Sequence, residues 1–203
     1  MSGIRTIALG LAVGAMLTMT VAGCAKAISG SPQAGPTTAP ATTPGGGGST
    51  AGDRFCATLT PSMVQQAFGV AGAKIVTGKE QSQNGVTAVS CEITAGSDTQ
   101  PLVISVIAFD YAGVATATVS TVLQNAQQQL ATAAHASNVQ SLSGIGASDA
   151  AFSCEITAQD GSTGTVIFAA KQLSSGVSAN DITVAGQVQP SQVIAFAKLV
   201  DAG

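Results

Sequence analysis

The chain has 203 residues and 19.7 kDa, with seven basic and ten acidic side chains, one His and no Trp. Only 8% of it is charged, against about 25% in ordinary soluble domains, yet 45% is apolar, which is the reverse of a disordered composition. A net charge of -3 and a pI near 4.8 provide no basic face for a phosphate backbone, so nucleic acid is not an expected partner.

Thr6 to Gly23 carries no charge, follows Arg5 and ends at Val21-Ala22-Gly23-Cys24. A positive start, an apolar stretch and small residues before a cleavage point form a secretory signal. Cys at the next position resembles the bacterial lipobox, in which the thiol receives a diacylglycerol and becomes the new N-terminus. Residues 1–23 therefore read as a lipoprotein signal peptide and Cys24 as the lipidated residue. An uncleaved transmembrane helix is the plainer alternative, since 18 apolar residues stand at the lower limit for spanning a bilayer. Two acyl chains hold a protein stably where one does so only marginally. The expected location is the outer face of the cell membrane, lipid-anchored.

The sequence from Ala25 to Gly52 is rich in Pro, Gly and Thr and has no aromatic residue. It buries too little apolar area to offset chain entropy, so residues 24–52 read as the lipidated Cys and a flexible tether with a reach of roughly 30 Å. Its Thr/Pro run also has the composition of O-glycosylated stalks. A single globular domain is expected over residues 53–203. It holds five of the basic and all ten acidic residues, a net of -5.

Within the domain, Thr60-Pro61 through Phe68 and then Gly69 reads as a short capped helix. Ala73 to Thr77 reads as a strand, and Gln81 to Gly85 as a polar loop. Val86 to Ala95 and Leu102 to Phe109 form a hairpin around Gly96-Ser97-Asp98. Tyr111 to Ala136 is the longest helical stretch, with Val119, Val122, Leu123, Ala126, Leu130 and Ala133 at three- and four-residue steps. A second hairpin, Ala150 to Ala158 and Thr165 to Lys171, brackets Gln159-Asp160-Gly161. A short strand at Asp181 to Ala185 and a terminal helix opened by Pro190 complete the reading. The fold class is α+β: one antiparallel sheet of about six strands built from two hairpins, one face of it covered by the long central helix and shorter N- and C-terminal helices.

Ser90-Cys91-Glu92-Ile93-Thr94-Ala95 recurs unchanged as Ser153-Cys154-Glu155-Ile156-Thr157-Ala158. Either an ancient duplication or chance in an Ala- and Thr-rich chain accounts for it, because the match does not extend beyond six residues.

Three cysteines lie in the domain, at 56, 91 and 154. In an oxidising compartment they make one disulfide and one spare thiol. By strand parity Cys91 shares a face with Val89 and Ile93, and Cys154 with Phe152 and Ile156, so both thiols are expected to face the core. Cys91 with Cys154 on neighbouring strands is one pairing. The stretch Cys56-x-x-Leu59-Thr60-Pro61-x-x-Val64-x-x-Ala67-Phe68-Gly69 resembles the opening of a family of actinobacterial, especially mycobacterial, envelope lipoproteins whose domain is named for its unknown function. Cys91 and the Gly144, Gly146, Ala150, Ala151 and Phe152 segment match later positions of that family. Two positions depart: Ile93 stands where an aromatic is frequent, and Cys154 is an addition. The resemblance implies a Cys56–Cys91 bridge, closing a loop of about 35 residues for about 3 to 4 kcal/mol on the chain-entropy model. Cys154 is then a buried, inert thiol.

Catalytic and metal chemistry find little support. His135, the lone His, ends the long helix, where it suits the macrodipole. No Gly-x-Ser-x-Gly elbow is present, and nothing marks Lys74, Lys79, Lys171 or Lys198 for a Ser-Lys pair. The cysteines are too far apart for zinc or copper. Glu92 and Glu155 read as solvated strand charges, and Gly144-Ile145-Gly146 is too short a motif for a phosphate loop. No enzyme, cofactor or metal is expected. The expected function is a membrane-anchored, non-catalytic interaction or accessory module of the cell envelope, with an unknown envelope protein or lipid as partner. The alternative is a carrier of an apolar ligand, such as a lipid, between sheet and helix.

Overall fold

The computed structural model describes residues 51–201 apart from Asp98, Gln159 and Asp160, all within the unit Gly46–Gly203. The expected signal peptide, Cys24 and residues 25–50 of the expected tether lie outside the described residues, while Ala51 and Gly52, also expected in the tether, open the first helix. The element order is α1 (Ala51–Thr58), α2 (Pro61–Phe68), β1 (Lys74–Thr77), β2 (Gln81–Gln83), β3 (Val86–Ser97), β4 (Gln100–Asp110), α3 (Val119–Ala133), β5 (Ser137–Leu142), β6 (Ala150–Thr157), β7 (Thr163–Leu173), β8 (Gly176–Ala185) and α4 (Pro190–Asp201). One antiparallel sheet of eight strands runs in the order β1-β3-β4-β8-β7-β6-β5, with β2 also paired to β3.

Both expected hairpins form, β3 with β4 and β6 with β7. The expected six strands become eight because β2 and β5 carry no alternating apolar pattern. Gln81, Ser82 and Gln83 are held by a turn at Asn84 (φ 53°) and Gly85 (φ 81°), the two positive angles that close a two-residue hairpin. β5 is an exposed edge strand with a bulge between Ser137 and Gln140, where Asn138 takes φ 52° and its amide donates to Glu155 Oε2 at 2.7 Å. The expected short last strand is ten residues long and central, hydrogen-bonded to β4 on one side and β7 on the other.

Helix limits follow from caps. Thr60 Oγ1 accepts the Met63 N–H at 3.4 Å, and Gly69, at φ 73°, donates its N–H to the Gln65 carbonyl. α3 is shorter than its periodic pattern. Tyr111 donates its N–H to the Val177 carbonyl and so prolongs the sheet, two tight turns follow, and Thr118 caps the helix by accepting from Thr121 N–H at 3.2 Å. A Cβ at Gly85 would meet the Gly113 carbonyl oxygen at 2.6 Å, so the turn after β4 rests on the turn before β3 through two glycines.

The helices do not share one face, contrary to expectation. Cys56, Val64, Phe68, Val193 and Phe196 from α1, α2 and α4 join Cys91, Ile93, Ile104, Val106, Ile167, Ile182 and Val184 of the sheet in one buried cluster. The Phe68 and Phe196 rings stand 5.5 Å apart. α3 packs on β6 and β7 from the other side, where the alternate residues Phe152, Cys154, Val166, Phe168 and Ala170 are buried with Val122. Strand parity accounts for this arrangement: β7 is apolar on both faces, with Ile167 and Ala169 on one and Val166, Phe168 and Ala170 on the other, and each face needs a cover.

The topology repeats with the sequence. β3 and β6, which carry the two Ser-Cys-Glu-Ile-Thr copies, are second from opposite edges of the sheet and run in the same direction. Cys91 and Cys154 are 63 residues apart, and Cys91 pairs with Val106 of β4 as Cys154 pairs with Val166 of β7, so β1, β3 and β4 correspond to β5, β6 and β7. α2 precedes the first set and α3 the second, on opposite faces. An approximate twofold axis along β8 relates two helix–strand–strand–strand units, which favours duplication over chance.

Candidate functional site

Buried titratable chemistry gathers on the α3 face, around the middle of β8. Residues in register across that face form lateral rows. One row runs Phe152, Phe168, Asp181, Ile107 and Ser90, and the next runs Cys154, Val166, Thr183, Ser105 and Glu92. Asp181 therefore sits in the central strand between an aromatic ring and an Ile side chain. The Thr183 hydroxyl donates to Asp181 Oδ1 at 3.1 Å. Burial raises the Asp181 carboxyl to about 6, against the smaller opposing effect of that hydrogen bond. Phe109 joins the aromatic floor, 6.2 Å from both Tyr111 and Phe168, and Phe152 stacks on Phe168 at 5.7 Å.

Tyr111 and Cys154 are affected by the same environment. Burial, and then the negative charge of Asp181, push the phenol up to about 12 and the Cys154 thiol up to about 11. A thiol so held is neutral at physiological pH and a poor nucleophile. The arrangement holds a proton near neutrality and accepts hydrogen bonds, while activating no nucleophile. Among the described residues no group of three or more His, Cys, Asp or Glu is placed to hold a metal.

α3 covers only part of this face. Beyond β8 toward β1 the same side presents Val103, Ser105, Ile107, Ala88 and Ser90 half-buried, Glu92 and Thr94 exposed, and Val76 61% exposed. An apolar strip edged by acids is thus open beside Asp181. A separate cleft of about 290 Å3 lies by α3, lined by residues such as Leu123, Gln127, Ser143, Asp149 and Phe152.

The residues singled out from sequence are dispersed. Cys56 and Cys91 form a disulfide with Cα atoms 5.7 Å apart, joining α1 to β3. The alternative pairing of Cys91 with Cys154 is overturned: both are buried as expected, but β4, β8 and β7 lie between their strands and they face opposite sides of the sheet. Glu92 and Glu155 are exposed, also on opposite faces, which separates any paired-carboxylate chemistry. His135 is exposed, with φ 48° just past the end of α3. Lys74, Lys79 and Lys198 are exposed, and Lys171 is half-buried.

Gly144-Ile145-Gly146 is a packing device: Ile145 is buried in the core, and a Cβ at Gly146, with φ 47°, would strike Asp201. Asp201 in turn accepts from Ser148 Oγ at 2.6 Å and Asn180 Nδ2 at 3.5 Å, fixing the end of α4.

Asp181 and Tyr111 were not legible as site residues. Asp181 stands first in the apolar-rich run that reads as a short strand, where an acid looks solvated, and Tyr111 reads as the start of a helix. The signal available was the run Gly176 to Ala185 taken whole, in which Val177 and Ala179 alternate on one face and Ile182 and Val184 on the other, with Asn180-Asp181 at the central change of phase. No family model, curated protein or solved structure matches the chain.

Proposed function

We propose that this chain is an exported lipoprotein, held at the outer face of the cell membrane by a diacylglycerol thioether on Cys24, whose body is a non-catalytic interaction module of the envelope. The half-covered α3 face carries the interaction reading: three helices bury the apolar residues of β3, β4, β8 and β7 on one side of the sheet, where the uncovered end at β6 carries the polar Ser153 and Glu155, while the other side leaves an apolar strip with acidic edges uncovered. The anchor rests on Arg5, the uncharged stretch to Gly23 and the Ala22-Gly23-Cys24 sequence. The resemblance to actinobacterial envelope lipoproteins points the same way, as does the Cys56–Cys91 disulfide, since such bonds persist mainly in oxidising compartments.

The carrier reading finds less support. Phe152, Phe168, Val166 and Val122 fill the space between sheet and α3, and the cleft of about 290 Å3 beside it stands at the lower limit of the roughly 300 to 1,000 Å3 of pockets that enclose drug-sized ligands. The test is metabolic labelling with palmitate together with the mass of the N-terminal peptide. Label in the parent chain, absent from Cys24→Ala, and a polypeptide beginning at a modified Cys24 are expected. An unlabelled chain still beginning at Met1 overturns the anchor.

A further inference from the structure

The twofold axis along β8 leaves α1 and α4 without mates among the described helices, and the place of α4's mate falls on the α3 face. α4 lies on the helix-rich face over β7 and beside α2. The axis carries β7 onto β4 and α2 onto α3, so the equivalent place is over β4, beside α3, on the opposite face. No described helix occupies it. The strand surface there has the form of a helix seat. Val103 and Ile107 stand half-buried on β4, with the small Ala88, Ser90 and Ser105 half-buried beside them.

Consecutive residues of β8 show what the missing element would supply. Asn180 and Asp181 point to opposite faces. Asn180 donates its amide N–H to Asp201 of the covering helix α4. Asp181 has a hydroxyl donor from its own strand, Thr183, and no described helix residue reaches it with a hydrogen bond. Glu92, two strands from Asp181 across β4 and one row along, adds a second, separate carboxylate, and Lys74 stands at the sheet edge on this side. Carboxylates on both sides of the apolar residues of β4 call for a cationic partner.

We infer that this half of the sheet seats an amphipathic helix of a partner protein, which lays an apolar ridge over Val103 and Ile107 and directs a Lys or Arg toward Asp181 and Glu92. The inference rests on the interaction-module reading and names the partner chemistry for that face.

The test places p-benzoylphenylalanine at Ile107 and, in a second variant, at exposed-side Ser105 of the full chain, with Leu173 as a control position, and irradiates intact cells. Links from Ile107 and Ser105 are expected to fall on one partner protein, at residues three or four apart with a Lys or Arg within a turn of them. Asp181→Asn combined with Glu92→Gln is expected to lower that yield at least about fivefold, as loss of a charge pair does. Links to a second copy, to lipid or to residues two apart in an extended strand overturn the inference. So do a yield no higher than at Leu173 and a yield that the double substitution leaves unchanged. Palmitate incorporation is read from the same cells: lost label with retained helix links sinks the membrane anchor alone, and retained label without them sinks the helix seat alone.

Discussion

The helix-rich face and the α3 face meet the same sheet with different means. On the first, α1, α2 and α4 bury Cys91, Ile93, Ile104, Val106, Ile167, Ile182 and Val184 of β3, β4, β7 and β8, and the Cys56–Cys91 bridge clamps α1 to β3. On the second, a single helix covers β6 and β7, an acid sits in the central strand, and the β3–β4 surface remains partly open. Stability is concentrated on one side, and the groups capable of answering a partner or a pH change on the other. Sites that act at the expense of packing are expected where a fold departs from uniform burial.

Four measurements break or sharpen this contrast. Phe196→Ala, at a fully buried ring of α4 on the closed face, is expected to lower stability by about 3 to 5 kcal/mol in urea unfolding. A loss below about 1 kcal/mol would show that this face is not the mechanical core. Replacing Cys56 and Cys91 together by Ala is expected to cost about 3 to 4 kcal/mol, read as a fall in the urea midpoint that reductant reproduces in the parent chain.

On the other face, Asp181→Asn is expected to stabilise. The folded carboxyl titrates at about 6 against 3.8 for the free group, so the folded state binds the proton more tightly and stability is lost as pH rises from about 4 through about 6. The full shift corresponds to about 3 kcal/mol, which partial solvent access reduces to about 1 to 2 kcal/mol. The parent should therefore lose that amount between pH 4 and pH 7.5 relative to the variant, and coincident stability–pH curves would refute the assignment. The smallest effect belongs to Ile107→Ala on the open strip, expected to cost under about 1 kcal/mol because the residue is only half-buried. A cost near that of Phe196→Ala would mean the strip is closed in the protein alone.

The repeated hexapeptide shows how far local pattern extends. Both copies form strands, and in both the Cys is buried, as alternation requires. Parity fixes which residues share a face, yet it says nothing of which face of the sheet that is. Cys91 and Cys154 therefore looked like partners while pointing to opposite sides. The same limit hid Asp181: an acid in a short terminal strand is solvated, but in a central strand beside Phe168 and Ile107 it is not.

Alternation and capping chemistry alone determined both hairpins, the α2 and α4 helices and the inward set of the cysteines, because hydrogen-bonded caps and period-two burial act over a few residues. Strand order, the position of β8 between β4 and β7, and the assignment of α3 to the face opposite α1, α2 and α4 were decided by tertiary structure. These depend on pairing between segments far apart in the chain, where the free energy lies in closing two opposed apolar faces at once and no local spacing records the choice.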